Sequence, residues 1–184
     1  MKNIIETQNF YLRPFNEDDF DILFDIFTDK DVIKYSFKRN EDQVLRILNR
    51  YTQRYKDFGI SKFAVFSKDA KEFVGGCGFN ILYDPEKDRN PLPKTKMMDY
   101  FNGDLELGYW FYKKFWGKGY ATELAKAVCD FAFDKFPELT RIVAVTDPEN
   151  TTSQRVLEKI GFEYLQDIET KEYGMEKFYV LNRL

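Results

Sequence analysis

The chain of 184 residues is long enough for one compact domain, expected to span residues 1–184. Its 32% charged and 18% aromatic residues are typical of a soluble globular protein. The net charge of −3, with both signs interspersed, predicts no strongly basic face, so we expect no nucleic-acid partner. Histidine is absent and cysteine occurs only 2 times, which excludes a Ser-His-Asp triad, a Cys-His dyad and the usual zinc sites. We therefore expect no metal.

Targeting signals and membrane spans are not apparent in the sequence. No apolar run approaches the ~20 residues needed to cross a bilayer, and residues 1–9 lack the apolar stretch of a signal peptide. Cys77 and Cys129 do not make a disulfide framework and are interpreted as reduced, inert core thiols. We therefore expect a cytoplasmic protein with no membrane partner.

Apolar periodicity predicts, in chain order, a strand, two helices, three strands, a helix, a strand, a helix and two strands. This mixed order indicates an α/β or α+β domain around one mixed sheet, with about six to seven strands and about four helices. The predicted bounds are 10–13 for the first strand, 18–28 and 41–58 for the helices, 62–67, 73–83 and 105–112 for the next strands, 120–136 for the third helix, 141–146 for a strand, 150–160 for the last helix, and 162–168 and 176–181 for the final strands.

Two further features of this pattern are the apolar stripe of the second helix and a long connection between strands. The second helix is expected to place Val44, Leu45, Leu48, Tyr51 and Tyr55 on one apolar stripe, which makes its tyrosines core or rim residues. The connection 84–104 is long for a hairpin and contains three of the prolines, and such loops are usually functional or mobile.

The most informative segment is a strand that runs through a turn containing Gly117 and Gly119 directly into an amphipathic helix. The first N–H groups of a helix lack internal partners and attract anions, and glycines allow the backbone to close around a phosphate. Ala121 and Thr122 are small and leave the approach open, and lysines at 113, 114 and 118 add positive charge. An ordinary strand-to-helix turn is the alternative, since the spacing matches neither a Walker loop nor a dinucleotide fingerprint.

Four segments then form a set in the expected order: Leu12-Arg13-Pro14, Glu106-Leu107-Gly108-Tyr109-Trp110, Trp116-Gly117-Lys118-Gly119-Tyr120-Ala121, and the stretch from Asn150 to Phe162. Together they resemble the GCN5-related N-acetyltransferase (GNAT) superfamily, and more closely its branch of ribosomal-protein N-terminal acetyltransferases. The superfamily signature is Gln/Arg-x-x-Gly-x-Gly/Ala, from which Trp116 departs at the first position. The resemblance covers nearly the whole chain.

The resemblance implies a GNAT fold in which strands 105–112 and 141–146 splay apart and the pantetheine arm of acetyl-CoA lies in the gap. Main-chain groups near Phe111 would pair with the pantetheine, and N–H groups of the glycine turn would hold the pyrophosphate. Acetyl-CoA is thus the implied co-substrate. The implied contacts are Phe111, Tyr112, Trp116, Gly117, Lys118, Gly119, Tyr120, Ala121, Thr122, Asn150 and Ser153.

Direct attack by an amine requires a base, because most free amines are protonated at neutral pH. Glu106 is the first candidate for this base, acting through water, and a solvated or salt-bridged carboxylate is the alternative. Many superfamily members protonate the departing thiolate with a tyrosine, but the corresponding position here is Leu157. Ser153 can hydrogen-bond the sulfur instead, with simple capping of the helix start as the competing interpretation. Asn150 is similarly divided between helix cap and coenzyme contact.

The acceptor pocket is expected between the first two helices, the 84–104 loop and the last hairpin. Acidic residues of that loop (Asp84, Glu86, Asp88, Asp99 and Asp104) suggest a cationic acceptor, although a solvated loop explains them equally well. We expect an N-acetyltransferase acting on a small-molecule amine or, as the branch favours, a peptide or protein N-terminus. A non-catalytic acyl-CoA-binding module and a nucleotide-binding domain are alternatives, and both a monomer and a homodimer are compatible with the sequence.

Overall fold

The computed structural model describes residues 5–81, 105–170 and 173–183. These residues form eight strands in one sheet and four α-helices, in the predicted order. The strands are β1 (Ile5–Glu6), β2 (Phe10–Pro14), β3 (Lys62–Ser67), β4 (Phe73–Ile81), β5 (Leu105–Phe111), β6 (Arg141–Thr146), β7 (Glu163–Thr170) and β8 (Gly174–Asn182), and the helices are α1 (Phe20–Thr28), α2 (Glu41–Phe58), α3 (Tyr120–Lys135) and α4 (Thr151–Lys159).

The predicted bounds agree with the structure to within two residues, apart from two differences. Strand β1 was not predicted, because two residues are too few to show a period. The predicted end of β4 beyond Ile81, the 84–104 connection and its acidic residues lie outside the described residues.

The turn between β2 and α1 is held by a buried ion pair. The Arg13 guanidinium donates to both carboxylate oxygens of Asp19, at 2.6 and 2.7 Å, and also lies 4.7 Å from the centre of the Phe66 ring. The Asn16 N–H donates to the same carboxylate at 2.8 Å, which completes a capping box. The arginine of the Leu12-Arg13-Pro14 motif therefore anchors the start of α1 to the sheet.

Helix α2 begins and ends where local signals predict. Asn40 and Gln43 form a reciprocal capping box at its start, and Gly59 ends it in the left-handed conformation at φ +67°. The predicted stripe is buried at Val44, Leu48 and Tyr51, whereas Leu45 is 48% exposed. The buried face of α2 is thus narrower than predicted, because only one side of the helix packs against the rest of the protein.

The sheet runs in the order β1-β2-β3-β4-β5-β6-β8-β7. Strands β5 and β6 are parallel neighbours that pair only at Leu105↔Ile142 and Glu106↔Val143, although each strand continues for several residues. Beyond Glu106 the two strands diverge toward Phe111 and leave a gap in the centre of the sheet. The predicted splayed pair is therefore confirmed.

Three apolar clusters flank the sheet, and the two largest lie on opposite faces. On one face Trp110 packs on Phe27 of α1, with 4.9 Å between ring centres. On the other, Leu107 and Phe111 belong to the core formed with α3 and α4. Because side chains alternate along a strand, Glu106 and Gly108 share the α1–α2 face with Trp110, and Tyr109 shares the α3–α4 face with Phe111.

Both cysteines are buried and unpaired, as predicted. Burial raises the pKa of the Cys77 thiol to about 12, so it stays protonated at neutral pH. Among the described residues, no helix is long and apolar enough to cross a bilayer.

Candidate active site

The gap between β5 and β6 is lined by main-chain groups that the sheet does not use. The Tyr112 N–H donates to the Val74 carbonyl at 3.1 Å, so the antiparallel ladder directs the polar groups of every second residue, including Gly108 and Trp110, toward β4. Tyr109 and Phe111 alternate with them and face the opposite side, where β6 has diverged. The Phe111 carbonyl accepts the indole N–H of Trp116 at 2.7 Å. The Phe111 N–H and both main-chain groups of Tyr109 therefore point into the gap.

The predicted anion turn follows at the wide end of the gap. Gly117 and Gly119 both have left-handed φ values, +73° and +79°, and a Cβ at either position would meet nothing within 4 Å. The glycines are thus required by backbone conformation, and the space beside them is open. Gly119 is the N-cap of α3 and has no side chain to accept from the first-turn N–H groups of Tyr120, Ala121 and Thr122.

The lysines around this turn differ in their contacts. Lys113 is ion-paired with Asp31 at 3.1 Å, and Lys114 is ion-paired with Glu72. Lys118 lies 6.0 Å from the centre of the Tyr120 ring, and within the described part of the chain no ion pair engages it. Two of the three expected positive charges are therefore already balanced by carboxylates, and the exposed Lys118 ammonium remains beside the turn.

Tyr112 and Tyr120 lie on opposite sides of the sheet. The Tyr112 phenol donates to Asp25 of α1, and its N–H is used within the sheet. Tyr120 packs edge-on against Phe10, with 4.8 Å between ring centres. Tyr112 therefore belongs to the α1 side, and the start of α3 is anchored to β2.

Glu106 is half-buried on the α1–α2 face and belongs, with Val143, to the last residue pair that joins β5 to β6. Its carboxylate accepts a hydrogen bond of 3.1 Å from the side-chain amide of Asn80, directly opposite on β4. No ion pair engages Glu106 among the described residues. The alternative interpretation of this residue as a salt-bridged strand carboxylate is therefore not supported there.

Ser153 lies in the first turn of α4 and contacts Tyr109 across the gap. The two hydroxyl oxygens are 3.0 Å apart, and the Tyr109 hydroxyl is 3.3 Å from the Ser153 carbonyl oxygen. Asn150 caps this helix, since its side-chain oxygen accepts the Ser153 N–H at 3.1 Å. Burial raises the pKa of Tyr109 well above its usual range, so the phenol keeps its proton. The Ser153 hydroxyl thus faces Tyr109, while Leu157 is buried in the core.

Comparison with known proteins places this geometry in a family. Residues 9–163 match the acetyltransferase (GNAT) domain family, which is more than half of the chain. The chain belongs to the GNAT acetyltransferases. It is similar to the protein YkkB of Bacillus subtilis (strain 168), with 32% identity over 169 residues that cover 91% of this chain and 89% of the relative.

Solved structures agree with this membership. A GNAT-family acetyltransferase from Bacillus anthracis has a TM-score of 0.70 at 27% identity and covers 97% of each chain. The RimL ribosomal L7/L12 alpha-N-protein acetyltransferase, in complex with coenzyme A, has a TM-score of 0.75 over 98% of each chain, and its 16% identity limits that likeness to the fold. The GNAT fold expected from the sequence is confirmed, and the chain is an acetyl-CoA-dependent N-acetyltransferase.

Two residues near the candidate site were not predicted from the sequence of this GNAT enzyme. In the sequence, Tyr109 is one residue of a family motif with no role of its own, and Lys62 is the first residue of a predicted strand. Lys62 is 3% exposed, and its amine contacts the Gly78 and Gly108 carbonyls. The two glycines opposite Lys62 on successive strands indicate that its side chain can cross the sheet. This can be recognised only when the register of β3, β4 and β5 is known. Among the described residues, no group of side chains is suited to hold a metal ion.

Proposed function

We propose that this enzyme transfers the acetyl group of acetyl-CoA to a primary amine by direct attack in a ternary complex. The observation that carries the proposal is the placement of Glu106 and Ser153 on opposite faces of the strand that borders the gap. An amine can approach from the face of α1 and α2, and sulfur can leave on the face of α3 and α4. Attack and departure on opposite sides require this separation.

The chain offers a fitting cradle for the coenzyme. The first-turn N–H groups of α3 and those of Gly117, Lys118 and Gly119 would hold the pyrophosphate, where the helix dipole favours an anion. The gap-facing groups of Tyr109 and Phe111 would pair with the pantetheine, and Asn150 would fix the start of α4 beside it. Acetyl-CoA, when bound, supplies the activated acetyl group as a thioester.

Glu106 serves as the general base in this proposal. Its carboxylate is held by Asn80 and takes a proton from the attacking amine, directly or through one water. As the nitrogen bonds to the acetyl carbon and the carbon–sulfur bond breaks, the Phe111 N–H can donate to the carbonyl oxygen. Such a donor is worth about 3 kcal/mol in other acyl-transfer enzymes.

Ser153 donates its hydroxyl hydrogen bond to the departing sulfur. The Tyr109 phenol, protonated at neutral pH, can in turn donate to the Ser153 oxygen. Ser153 and Tyr109 would thus take over the role of the tyrosine found in many superfamily members, whose position is occupied here by Leu157. Tyr109 is a positioning residue in this arrangement because it acts through Ser153.

The acceptor that fits this site best is the α-amine of a peptide or protein. An α-amine has an ordinary pKa near 8, against about 10.4 for a lysine side chain, so a larger fraction is neutral at pH 7 and less is required of Glu106. Small-molecule amines are the second class to screen.

Replacement of Glu106 by glutamine tests the assignment. Glu106→Gln keeps the shape of the side chain and its contact with Asn80 but cannot take a proton, so turnover should fall about a hundredfold or more while acetyl-CoA binding is retained. The exposed Glu163→Gln on β7 is the matched control. Turnover is followed by thiol release with a panel of peptides and amines, and equal turnover of Glu106→Gln would remove Glu106 as the base.

Calorimetry separates enzyme from binding module. Wild-type protein should bind acetyl-CoA in the micromolar range and neither ATP nor NAD. Binding of acetyl-CoA without transfer to any amine would favour a non-catalytic acyl-CoA-binding module. Absence of binding by folded protein would overturn the proposed function.

A further inference from the structure

The amine of Lys62 is buried in the middle of the sheet. Its side chain starts on β3, crosses Gly78 of β4 and ends at Gly108 of β5, where the nitrogen donates to both glycine carbonyls at 2.9 Å. A Cβ on Gly108 would lie 2.6 Å from this nitrogen, so the missing side chain makes room for it. No carboxylate forms an ion pair with Lys62 in the part of the chain that the structure describes. Buried lysines without such a partner are rare.

The Lys62 amine ends on the same strand as the candidate base, Glu106. Gly108 and Glu106 are two residues apart on β5 and therefore share the α1–α2 face. Glu106 is also the group whose negative charge acts most strongly on Lys62. Buried Lys62 and half-buried Glu106 thus carry opposite charges on one face of the sheet, at the point where β5 leaves β6, and influence each other without forming an ion pair.

The other groups that act on Lys62 do not replace this influence of Glu106. Cys77 of β4 is held as a neutral thiol by its burial, and Arg50 and Arg54 of α2 add positive charge from the helix layer. Burial is the largest influence and lowers the pKa of Lys62 from 10.5 to about 8, against the opposing effect of Glu106. The amine is therefore mostly charged at pH 7 and loses its proton just above it.

We propose that Lys62 is a positioning residue of the transfer site, whose ammonium balances the charge of Glu106 and so prevents the acceptor from being held as an unreactive ammonium ion. A lone carboxylate beside the acceptor would stabilise the protonated amine. With Lys62 charged, the pair has no net charge, so the ammonium form of the acceptor is less stabilised and more of the bound acceptor is neutral and able to attack. This inference rests on the proposed role of Glu106.

Nuclear magnetic resonance tests the charge pair without any acceptor. With lysine labelled at the ε-carbon, the Lys62 signal of wild-type protein should titrate near pH 8, apart from the exposed lysines. In Glu106→Gln the pKa of Lys62 should fall further, because the carboxylate that raises it is gone. Titration together with the exposed lysines, or no response to Glu106→Gln, overturns the inference and leaves the proposed acetyltransferase function intact.

Kinetics test the effect on the acceptor. Lys62→Met fills the same space without a charge, so kcat at pH 7 should fall about tenfold, which corresponds to one pH unit of acceptor ionisation. The KM for acetyl-CoA should not change, and the defect should disappear as pH is raised past the pKa of Lys62. The matched control is Lys126→Met, which removes an exposed lysine paired with Asp130 on α3.

A second variant reaches the amine without replacing it. Gly108→Ala places a methyl group 2.6 Å from the position of the Lys62 nitrogen, and the flexible lysine side chain can move aside without unfolding the sheet. The variant should therefore reproduce the pH-dependent loss of Lys62→Met. A loss that is equal at every pH would indicate a purely structural role and overturn the inference, as would a wild-type profile. If wild-type protein acetylates no amine, the proposed function fails, and this inference fails with it.

Discussion

The protonation of a buried residue at this site affects the stability of the fold, and Lys62 is the clearest case. Burial lowers its pKa from 10.5 to about 8, so between these pH values the unfolded chain binds a proton that the folded chain does not. The free energy of unfolding of the wild type should therefore rise with pH across this window. Below it, the full cost of burying the ammonium is present.

The first prediction compares wild type with Lys62→Met, which has no titrating group at this position. We expect the stability of the wild type relative to the variant to increase by about 3 kcal/mol between pH 7 and pH 10.5. Urea unfolding at several pH values measures the difference, and Lys126→Met shows the behaviour of an exposed lysine. A difference that is constant with pH would mean that Lys62 is not titrating in this range.

The second prediction at this scale concerns the hydroxyl pair across the gap. Tyr109→Phe and Ser153→Ala each remove one member of a 3.0 Å contact, and each should lower kcat several-fold with little change in the KM for acetyl-CoA. If Tyr109 acts through Ser153, as proposed, the double variant should have the same kcat as Ser153→Ala alone. Their activation free energies should then agree within about 0.5 kcal/mol. Thr152→Ala, exposed in the same helical turn, is the control. Additive losses would show that Tyr109 acts independently.

The elements that carry the site are positioned by their ends. Helix α3 starts at Gly119 with a left-handed residue and no side-chain cap, so its first N–H groups face the open mouth of the gap. Helix α4 starts at Asn150, whose cap leaves the Ser153 hydroxyl directed at Tyr109. The start of α3 therefore leaves its N–H donors uncapped. At the start of α4, Asn150 caps the Ser153 N–H, and the Ser153 hydroxyl faces Tyr109.

The element-scale prediction is that Gly119→Ala weakens acetyl-CoA binding. An alanine at φ +79° costs about 1 kcal/mol in this conformation, and relief of that strain would turn the first N–H groups of α3 away from the mouth. Gly174→Ala is a close control, since Gly174 has φ +76°, an equally open Cβ position and a place in the last hairpin. Both variants should lose similar stability in thermal unfolding, but only Gly119→Ala should raise the Kd measured by calorimetry. Equal affinities would remove the turn from the binding site.

The described strands form one sheet, but near its centre the pairing between β5 and β6 stops after two residue pairs. Among the described residues, α1 and α2 cover one large apolar cluster and α3 and α4 cover another on the opposite face, so the splay between β5 and β6 exposes main chain beside well-packed clusters. In the proposed complex, acetyl-CoA in the gap would supply the hydrogen bonds that β6 does not make to this part of β5.

Hydrogen exchange tests this at the scale of the molecule. The amides of Tyr109 and Phe111 face the gap, so they should exchange quickly in the free protein and slow down when acetyl-CoA binds. The amides of Gly108 and Trp110 lie in the β4–β5 ladder and should already be protected, which makes them internal controls. Protection of Tyr109 and Phe111 without ligand would mean that the gap is closed in solution.

The sequence by itself determined the order of the elements, the limits of α2 and the glycine turn before α3. Each depends on a local signal: a period of apolar residues, a cap such as Asn40, or a glycine that must adopt positive φ. The motifs around Glu106 and Gly119 were sufficient to predict the GNAT fold and its splayed strands. A two-residue strand such as β1 has no such signal, and the stripe of α2 could not show that Leu45 faces solvent.

Only the tertiary structure decided which distant groups meet. Tyr109 and Ser153 are 44 residues apart, Lys62 and Gly108 are 46 apart, and Lys113 reaches Asp31 across 82 residues. Such contacts depend on strand register and on which face each side chain takes, and a shift of one residue would reverse that face. Packing, not local pattern, therefore paired Tyr109 with Ser153 and brought the Lys62 amine to the strand that carries Glu106.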